Sequence, residues 1–386
     1  MRKFYTAEAV TEGHPDKLCD QIADAILDVC LKQDEQSRVA CEVLATKGTI
    51  IVAGEITSTY EPDVFAVVRK VLSDVGYSSE GIAMDTFVHR QSPDIAGAVD
   101  TSKERREGVS DNQMDWFQGA GDQGVMIGYA CDETKQLMPM PVVLANRIVR
   151  ELSACRQSSY IQGILPDGKV QVTVEYENGK PVRLDSVVVS CQHTEDKNLK
   201  KLEAEIRKKV LLPALRLLPP DEDTKILINP SGRFVCGGMD ADTGLTGRKL
   251  MVDSYGSMVP HGGGAFSGKD CSKVDRSAAY MARYIAKNIV AARLASRCQV
   301  SLAYAIGVAQ PVMVQVDTFG TGKVCADDCL ELAIPLVFGL TPKQIVDTLR
   351  LTRPIFRQTA AFGHFGRKEF PWERTDKVEA LRNAVI

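Results

Sequence analysis

The stretch HGGGAFSGKDCSKVDRS, residues 261–277, combines four glycines with charged side chains and lies directly before a strongly helical pattern. Glycines let the backbone approach a ligand closely, and the N–H groups of such a loop at a helix N-terminus form an anion site. Its charged residues are Lys269, Asp270, Lys273, Asp275 and Arg276. The lysines and the arginine supply positive charge, and the aspartates can hold a divalent cation. The stretch therefore predicts a site for a polyphosphate with its metal, although a solvated glycine-rich turn would have the same composition.

The same stretch comes close to a P-loop. Gly263, Gly268 and Lys269 match G-x-x-x-x-G-K, but Asp270 occupies the position where a P-loop has the Ser or Thr that binds magnesium. A carboxylate at that position would repel phosphates unless a metal stood between them. The pattern thus predicts a phosphate loop of a different design.

Length and composition restrict the class of protein. The 386 residues allow two or three domains, and a net charge of −3 gives no overall attraction to nucleic acid or to an anionic membrane. The N-terminus lacks the apolar core of a signal peptide, and no apolar run has membrane-spanning length. The 11 cysteines are scattered without a C-x-x-C pair, which argues against a disulfide framework or a structural zinc site. We expect reduced, buried thiols in a cytoplasmic protein.

Hydrophobic periodicity predicts alternating strands and helices along the whole chain. The predicted helices are 15–31, 63–75, 142–155, 198–212, 273–294 and 341–349. The predicted strands are 39–44, 49–56, 125–129, 170–177, 181–190, 225–229, 249–254, 299–308 and 312–317. Strand pairs and amphipathic helices recur three times, and Asp16, Asp122 and Asp242 each lie in a polar or glycine-rich stretch of one portion. This recurrence indicates a weak threefold repeat.

A polar, weakly patterned segment interrupts this order after residue 95. Long connections of this kind are usually functional lids or disordered linkers. The resulting division has four parts: an N-terminal portion 1–100, a mobile active-site lid 101–118, a central portion 119–231 and a C-terminal portion 232–386.

Three further stretches have the residue types for ligand chemistry. In TEGHPDK at 11–17, His14 and Asp16 open the first helix, where an anion or a metal-bound phosphate is favoured, although a helix cap would look alike. GAGDQG at 119–124 presents one carboxylate and one amide, or forms a tight β-turn. In residues 229–249, Phe234 offers a flat face to a base, and Arg248 and Lys249 offer donors to phosphate.

Together these motifs closely resemble the S-adenosylmethionine synthetases (methionine adenosyltransferases) of the bacterial type. The resemblance runs from about residue 6 to residue 371 and is carried by TEGHPDK, GAGDQG, GRFV…DTGLTGRK at 232–249 and GGGAFSGKDCSKVDRSAAY at 262–280, in that order. It implies an α+β fold of three similar α/β-sandwich domains related by a pseudo-threefold axis, with strands that interleave along the chain. It also implies a homodimer with active sites shared between subunits, and dimers that usually pair into a homotetramer.

The resemblance implies that the methionine sulfur attacks C5′ of ATP and expels triphosphate, which is hydrolysed to pyrophosphate and phosphate. His14 would steady the departing oxygen, with Lys169, Arg248 and Lys269 as the other catalytic residues. Asp16 and Asp275 would bind two Mg²⁺ per site, and Glu42 would bind one K⁺ per subunit. The implied methionine contacts are Glu55, Gln91, Asp122, Asp242 and Lys273. The implied ATP contacts are His14, Asp167, Lys169, Arg233, Phe234, Asp242, Arg248, Lys249, Ala265 and Lys269.

Two other functions fit parts of the sequence. Another Mg-ATP-dependent transferase or kinase would explain the P-loop-like stretch, but it would form ADP without methionine. A non-catalytic nucleotide- or RNA-binding module would need a basic face with stacking aromatics, which the balanced charge does not favour. The segment between residues 91 and 119 is longer than in the shortest bacterial members of the family. The resemblance therefore does not predict the rate at which this lid opens and closes.

Overall fold

The computed structural model describes residues 2–93, 97, 101–108 and 118–385. Its strands are β1 Arg2–Val10, β2 Arg38–Thr46, β3 Thr49–Thr57, β4 Ala83–His89, β5 Gly124–Cys131, β6 Ile164–Glu177, β7 Lys180–His193, β8 Lys225–Ile228, β9 Gly244–Leu245, β10 Arg297–Tyr304 and β11 Met313–Asp317. Its helices are α1 Pro15–Gln33, α2 Val64–Val75, α3 Lys103–Arg106, α4 Met140–Gln157, α5 Leu199–Ile206, α6 Leu212–Ala214, α7 Leu250–Asp253, α8 Val274–Ala291, α9 Asp327–Val337, α10 Pro342–Leu349 and α11 Val378–Ala384.

The strands form three sheets, in the orders β1-β6-β7-β8, β11-β10-β5 and β4-β3-β2-β9. One long apolar helix packs against each sheet: α4 on β1 and β6, α8 on β5 and β10, and α1 on β2 and β9. The buried stripes of these helices and the inward strand positions make up the core. The three sheet-and-helix units confirm the predicted α+β class.

The strands of these sheets interleave along the chain, as the resemblance implied. β1 pairs antiparallel with β6, so that Val10 lies opposite Lys169. Immediately after β1, the Thr11 N–H and hydroxyl donate to the Gly168 and Pro166 carbonyls at 3.0 and 2.7 Å. The pairing therefore brings the TEGHPDK motif next to the start of β6, which is more than 150 residues away in sequence.

The predicted strand at 249–254 is wrong, because α7 spans Leu250–Asp253. The pattern was misleading because Leu250, Met251 and Val252 form a short continuous apolar run, which suits a buried strand and a buried helical turn equally. The Ser254 hydroxyl donates to the Leu250 carbonyl at 2.7 Å, a bond that suits a helical turn. The predicted helix at 198–212 is also interrupted, since α5 passes into a π-helical turn at Arg207–Leu211 before α6.

Two other expectations concern thiols and membranes. All 11 cysteines are free, and eight of them are buried. Within the described ranges, no single helix has the length and apolar character needed to cross a bilayer, although the bent pair Asp327–Val337 and Pro342–Leu349 meets those two criteria together.

Candidate functional site

An acidic stripe on α1 organises the glycine-rich segments around it. Asp16, Asp20 and Asp24 recur at successive turns of this helix and are all buried. Their carboxylates accept backbone N–H groups of the other motifs: Leu245 donates to Asp16 at 3.0 Å, Gly247 to Asp20 at 2.9 Å and Gly268 to Asp24 at 2.9 Å. One helix thus fixes both the 244–249 turn and the 261–277 loop.

His14 is the N-cap of α1 and is held as a neutral imidazole. Its Nδ1 accepts the Asp16 backbone N–H at 3.2 Å. Burial, and next the charge of Lys249, lower the His14 pKa to about 4. With Nδ1 acting as an acceptor, the ring proton belongs on Nε2, which is then free to donate.

The Asp16 carboxylate is the charged centre of this first cluster. Lys249 Nζ donates to its Oδ2 at 2.5 Å, and Arg248 Nε lies 3.6 Å from its Oδ1. Burial opposes ionisation, but the hydrogen bonds from Lys249 and from the Leu245 N–H outweigh it and hold the Asp16 pKa below its usual range. Asp16 is therefore an anion at neutral pH.

Three more of the expected residues lie around His14. The charges of Lys169 and Asp242 both act on the imidazole. Asp167 is buried, and its Oδ2 accepts the Gly238 N–H at 2.8 Å. Burial raises the Asp167 pKa to about 6, against the pull of the Gly238 and Gly168 N–H groups. Lys169 is more exposed and pairs with Glu8 at 3.0 Å.

Arg233 and Phe234 lie in the segment that follows β8. The Phe234 N–H donates to His193 Nε2 at 3.0 Å, which ties the segment to the end of β7. Arg233 is exposed and pairs with Glu195 at 2.6 Å. His193 therefore has a structural role.

The 261–277 loop closes onto β2. The Cys41 N–H donates to the Gly268 carbonyl at 2.9 Å, and Gly268 has a positive φ of 81°. A Cβ at Gly268 would lie 2.0 Å from the Cys41 carbonyl oxygen, so only glycine fits there without moving the loop.

Asp270 is a structural residue whose carboxylate oxygens both have hydrogen-bond partners within the chain. It is completely buried and accepts Lys273 Nζ at 2.5 Å, the Val39 N–H at 2.7 Å and the Ser272 N–H at 2.8 Å. The neighbouring Cys271 thiol is buried, and burial together with the Asp270 charge raises its pKa to about 12. The residue that replaces the P-loop hydroxyl thus fastens the loop to β2, and Cys271 is an unreactive thiol.

A second cluster forms around Lys269. Lys269 Nζ donates to Asp275 Oδ2 at 2.5 Å, and its charge acts on the Glu42 carboxylate of β2. Glu55 of β3 is near enough to act on Glu42 as well, and it pairs with His89 at 3.2 Å. The Gln91 N–H donates to Thr57 Oγ1 at 3.1 Å, at the end of the same strand.

The GAGDQG turn belongs to this second cluster. The Gly121 N–H donates to the Ser272 carbonyl at 3.1 Å, directly before Lys273. Asp122 follows, and its Oδ1 accepts the Gln123 N–H at 2.7 Å. Ala265 lies close to Gly247, which directly precedes Arg248 and Lys249 of the first cluster: a Cβ at Gly247 would be 2.7 Å from the Ala265 Cβ.

The structure therefore brings the expected residues into two clusters within one chain. In the described residues, no hydrogen bond or ion pair joins Asp16 to Asp275, and no group of three or more His, Cys, Asp or Glu side chains could enclose a metal ion. One carboxylate ligand from each cluster, Asp16 and Asp275, still suits Mg²⁺, because that ion keeps several waters and takes other ligands from substrate phosphates. Asp16 and Asp275 are therefore suitable ligands for magnesium that binds together with a nucleotide.

Two buried cations support the clusters, and the sequence motifs revealed the role of neither: Arg276 was expected to offer its charge to a polyphosphate, and Lys17 was given no role. Arg276 donates to both Asp24 oxygens, at 2.6 and 2.8 Å, with both side chains fully buried. Lys17 lies between Asp20 and Asp253, also fully buried. The available signal was the spacing of Asp16, Asp20 and Asp24, which places three carboxylates on one face of the helix.

Comparisons with known proteins identify the class. The N-terminal, central and C-terminal domains of S-adenosylmethionine synthetase match residues 2–98, 117–234 and 236–374. The chain belongs to the S-adenosylmethionine synthetase family.

Its relatives are similar over their whole length. Proteins named S-adenosylmethionine synthase from Desulforudis audaxviator, Treponema denticola and Nocardioides sp. are 52%, 51% and 53% identical to it. Each alignment covers 99% of this chain and 98% or more of the relative. A kinase or an RNA-binding module is not favoured by these matches.

Proposed function

We propose that this chain makes S-adenosylmethionine from ATP and L-methionine, by attack of the methionine sulfur on C5′ of ATP. The triphosphate leaves whole and is then hydrolysed to pyrophosphate and phosphate. The sulfur lone pair is already nucleophilic, so the reaction needs alignment and charge neutralisation more than a general base. The observation that carries the proposal is the cluster of neutral His14, buried anionic Asp16 and the cations Arg248 and Lys249.

His14 acts on the bond that breaks. Its Nε2–H donates to the oxygen that departs from C5′. Because burial lowers its pKa to about 4, the ring is a neutral donor at pH 7. A neutral hydrogen bond that strengthens as charge develops on the oxygen favours the transition state.

The cations hold the leaving group. Lys169, Arg248, Lys249 and Lys269 surround the triphosphate, and Asp16 and Asp275 would hold the two magnesium ions. Bound magnesium supplies charge neutralisation on the phosphate oxygens. Lys249 and Lys269, which pair with those two carboxylates in the chain alone, then have phosphate oxygens as partners. Glu42 would hold K⁺.

The remaining residues orient the substrates. Asp167, Arg233, Phe234, Asp242 and Ala265 contact ATP. Glu55, Gln91, Asp122, Asp242 and Lys273 contact methionine. Carboxylates suit its ammonium group, and Lys273 suits its carboxylate. Residues 101–118 form the lid over this site, and residues 109–117 lie outside the described residues.

Two copies of the chain complete each active site. Within one chain Asp16 and Asp275 belong to different clusters, and a twofold dimer places the first cluster of one subunit against the second cluster of its partner. Each sheet also has exposed apolar side chains, among them Phe4 on β1, Phe87 on β4 and Val125 on β5. Burial of these side chains stabilises the dimer, and dimers pair into a tetramer.

The reaction has a direct assay. Purified protein is incubated with ATP, Mg²⁺ and K⁺, with and without methionine, and with each cation omitted in turn. We expect a sulfonium product, pyrophosphate and phosphate that depend on methionine and on both cations, and ADP formation without methionine would contradict the proposal.

Native mass spectrometry tests the tetramer, and failure to retain RNA tests the expected absence of nucleic-acid binding. The free thiols support a reducing compartment, so fractionation should find the protein in the cytoplasm.

A further inference from the structure

The hairpin between β10 and β11 is held at its tip by a carboxylate from the predicted lid segment. Glu104 of α3 accepts the Ala309 N–H at 2.9 and 3.0 Å, one distance to each of its oxygens, and the Gln310 N–H at 3.1 Å. The Lys103 N–H donates to the Gly307 carbonyl at 2.8 Å. Residues 103–104 therefore bind the hairpin tip through both its donors and its acceptors.

Buried residues on both sides of the contact hold α3 against the hairpin. Ser102 is fully buried and caps the helix, with its Oγ accepting the Arg105 N–H at 3.3 Å. Ala309, whose N–H meets Glu104, is also fully buried. A buried turn N–H needs an acceptor, and the acceptor-only carboxylate serves two adjacent donors together.

The same hairpin tip holds the GAGDQG turn. The Gly307 N–H donates to the Ala120 carbonyl at 2.8 Å, and the Ala120 N–H donates to the Val308 carbonyl at 2.9 Å. Any side chain at Gly119 would collide with Gly307, because a Cβ there would lie 2.5 Å from its carbonyl carbon. Asp122 therefore follows a segment that is fixed against the hairpin.

We propose that Glu104 is a positioning residue for the methionine site. It holds the 307–310 backbone in place, and that backbone holds Ala120 and so sets the position of Asp122. The inference rests on the proposed contact between Asp122 and methionine. Loss of the Glu104 carboxylate lets the hairpin tip and the turn shift together, which weakens methionine binding and leaves the ATP residues of the first cluster unchanged.

The experiment compares Glu104→Ala with Glu107→Ala. Glu107 has the same charge in the same segment, but it is exposed, and its carboxylate lies 3.8 Å from Lys103 Nζ, its one ion-pair partner among the described residues. For Glu104→Ala we expect the methionine KM to rise about tenfold, equivalent to about 1.4 kcal/mol. The ATP KM and the hydrolysis of added triphosphate should stay at the wild-type values, and Glu107→Ala should behave as wild type. Glu104→Gln, which keeps one acceptor oxygen, should fall between wild type and Glu104→Ala.

Two outcomes would overturn the inference. One is a methionine KM for Glu104→Ala equal to that of Glu107→Ala. The other is a joint loss of thermal stability, kcat and both KM values, which would mean that Glu104 serves folding alone. Asp122→Ala separates this inference from the proposed function. If Asp122→Ala leaves the methionine KM unchanged, the proposed contact is wrong; if it raises that KM while Glu104→Ala does not, only the positioning role is wrong.

Discussion

Replacement of Gly268 by alanine should disable the phosphate loop far more than the same change at Gly263. Both glycines have positive φ, 81° and 100°, so alanine at either position costs about 1–2 kcal/mol of backbone strain. A Cβ at Gly263 meets nothing within 4 Å, whereas a Cβ at Gly268 lies 2.0 Å from the backbone oxygen of Cys41. Gly263→Ala is therefore the matched control for Gly268→Ala.

The clash at Gly268 cannot be relieved by a side-chain rotation, because the opposing atom belongs to the backbone. The loop is held on both sides, by the Cys41 N–H on its carbonyl and by Asp24 on its own N–H. Movement of the loop breaks the bond to Asp24, a charged hydrogen bond of about 1.5–3 kcal/mol. Together with the backbone strain, this loss should lower the free energy of unfolding of Gly268→Ala by about 3–5 kcal/mol.

The catalytic effect follows from the position of Lys269, the next residue. A misplacement of about 1 Å can cost about 100-fold in rate, so we expect a loss of that size in kcat for Gly268→Ala. Gly263→Ala should lose at most about 5- to 30-fold, the equivalent of its strain energy of about 1–2 kcal/mol alone. The assays are steady-state kinetics and thermal unfolding of both variants under the same conditions. Equal losses in the two variants, or a wild-type kcat for Gly268→Ala, would refute this account of the loop.

Two further predictions concern pH and the lid. Burial raises the pKa of Asp28, whose carboxylate accepts the Phe356 and Arg357 N–H groups, from 3.8 to about 6. The native state thus holds a proton that the unfolded chain releases, so this stabilisation is complete below pH 4 and is lost as the pH rises through 6. Between pH 4 and 7 the free energy of unfolding of the wild type should fall, relative to Asp28→Asn, by at most about 3 kcal/mol; a difference independent of pH would contradict this. Deletion of residues 101–116 should slow turnover and leave the circular dichroism spectrum intact, and loss of the folded spectrum would refute the lid assignment.

The sequence predicts the fold where a local pattern is self-sufficient. The helix that starts at Pro15 has an apolar stripe and a proline in its first turn, and the predicted element agrees with α1 except at its C-terminal end. β1 was not predicted because its partner β6 is distant in sequence, and α7 was misread because the short apolar run at 250–252 suits a strand or a helix equally. Long-range pairing leaves little trace in local periodicity.

The candidate site likewise has features that local sequence predicts and features that depend on long-range contacts. The motifs contain most of the residues of both clusters, because glycines, lysines and aspartates lie close together in each motif. They do not reveal the supports: Asp24 with Arg276, or Glu104 on the hairpin, are defined by contacts between segments that are 205 or more residues apart. Nor does the sequence show that Asp270, at the place of the P-loop hydroxyl, is a structural acceptor.

The most direct test of the shared active site is complementation between Asp16→Asn and Asp275→Asn. Each variant alone should be nearly inactive. When the two are co-expressed in equal amounts, half of the dimers are mixed, and each mixed dimer has one site with both carboxylates intact, so that about one quarter of the wild-type activity returns. Mass spectrometry of the purified mixture measures the fraction of mixed dimers. If mixed dimers form and the activity stays at the level of the single variants, the two clusters act within one chain, and the proposal of a site built from two subunits is wrong.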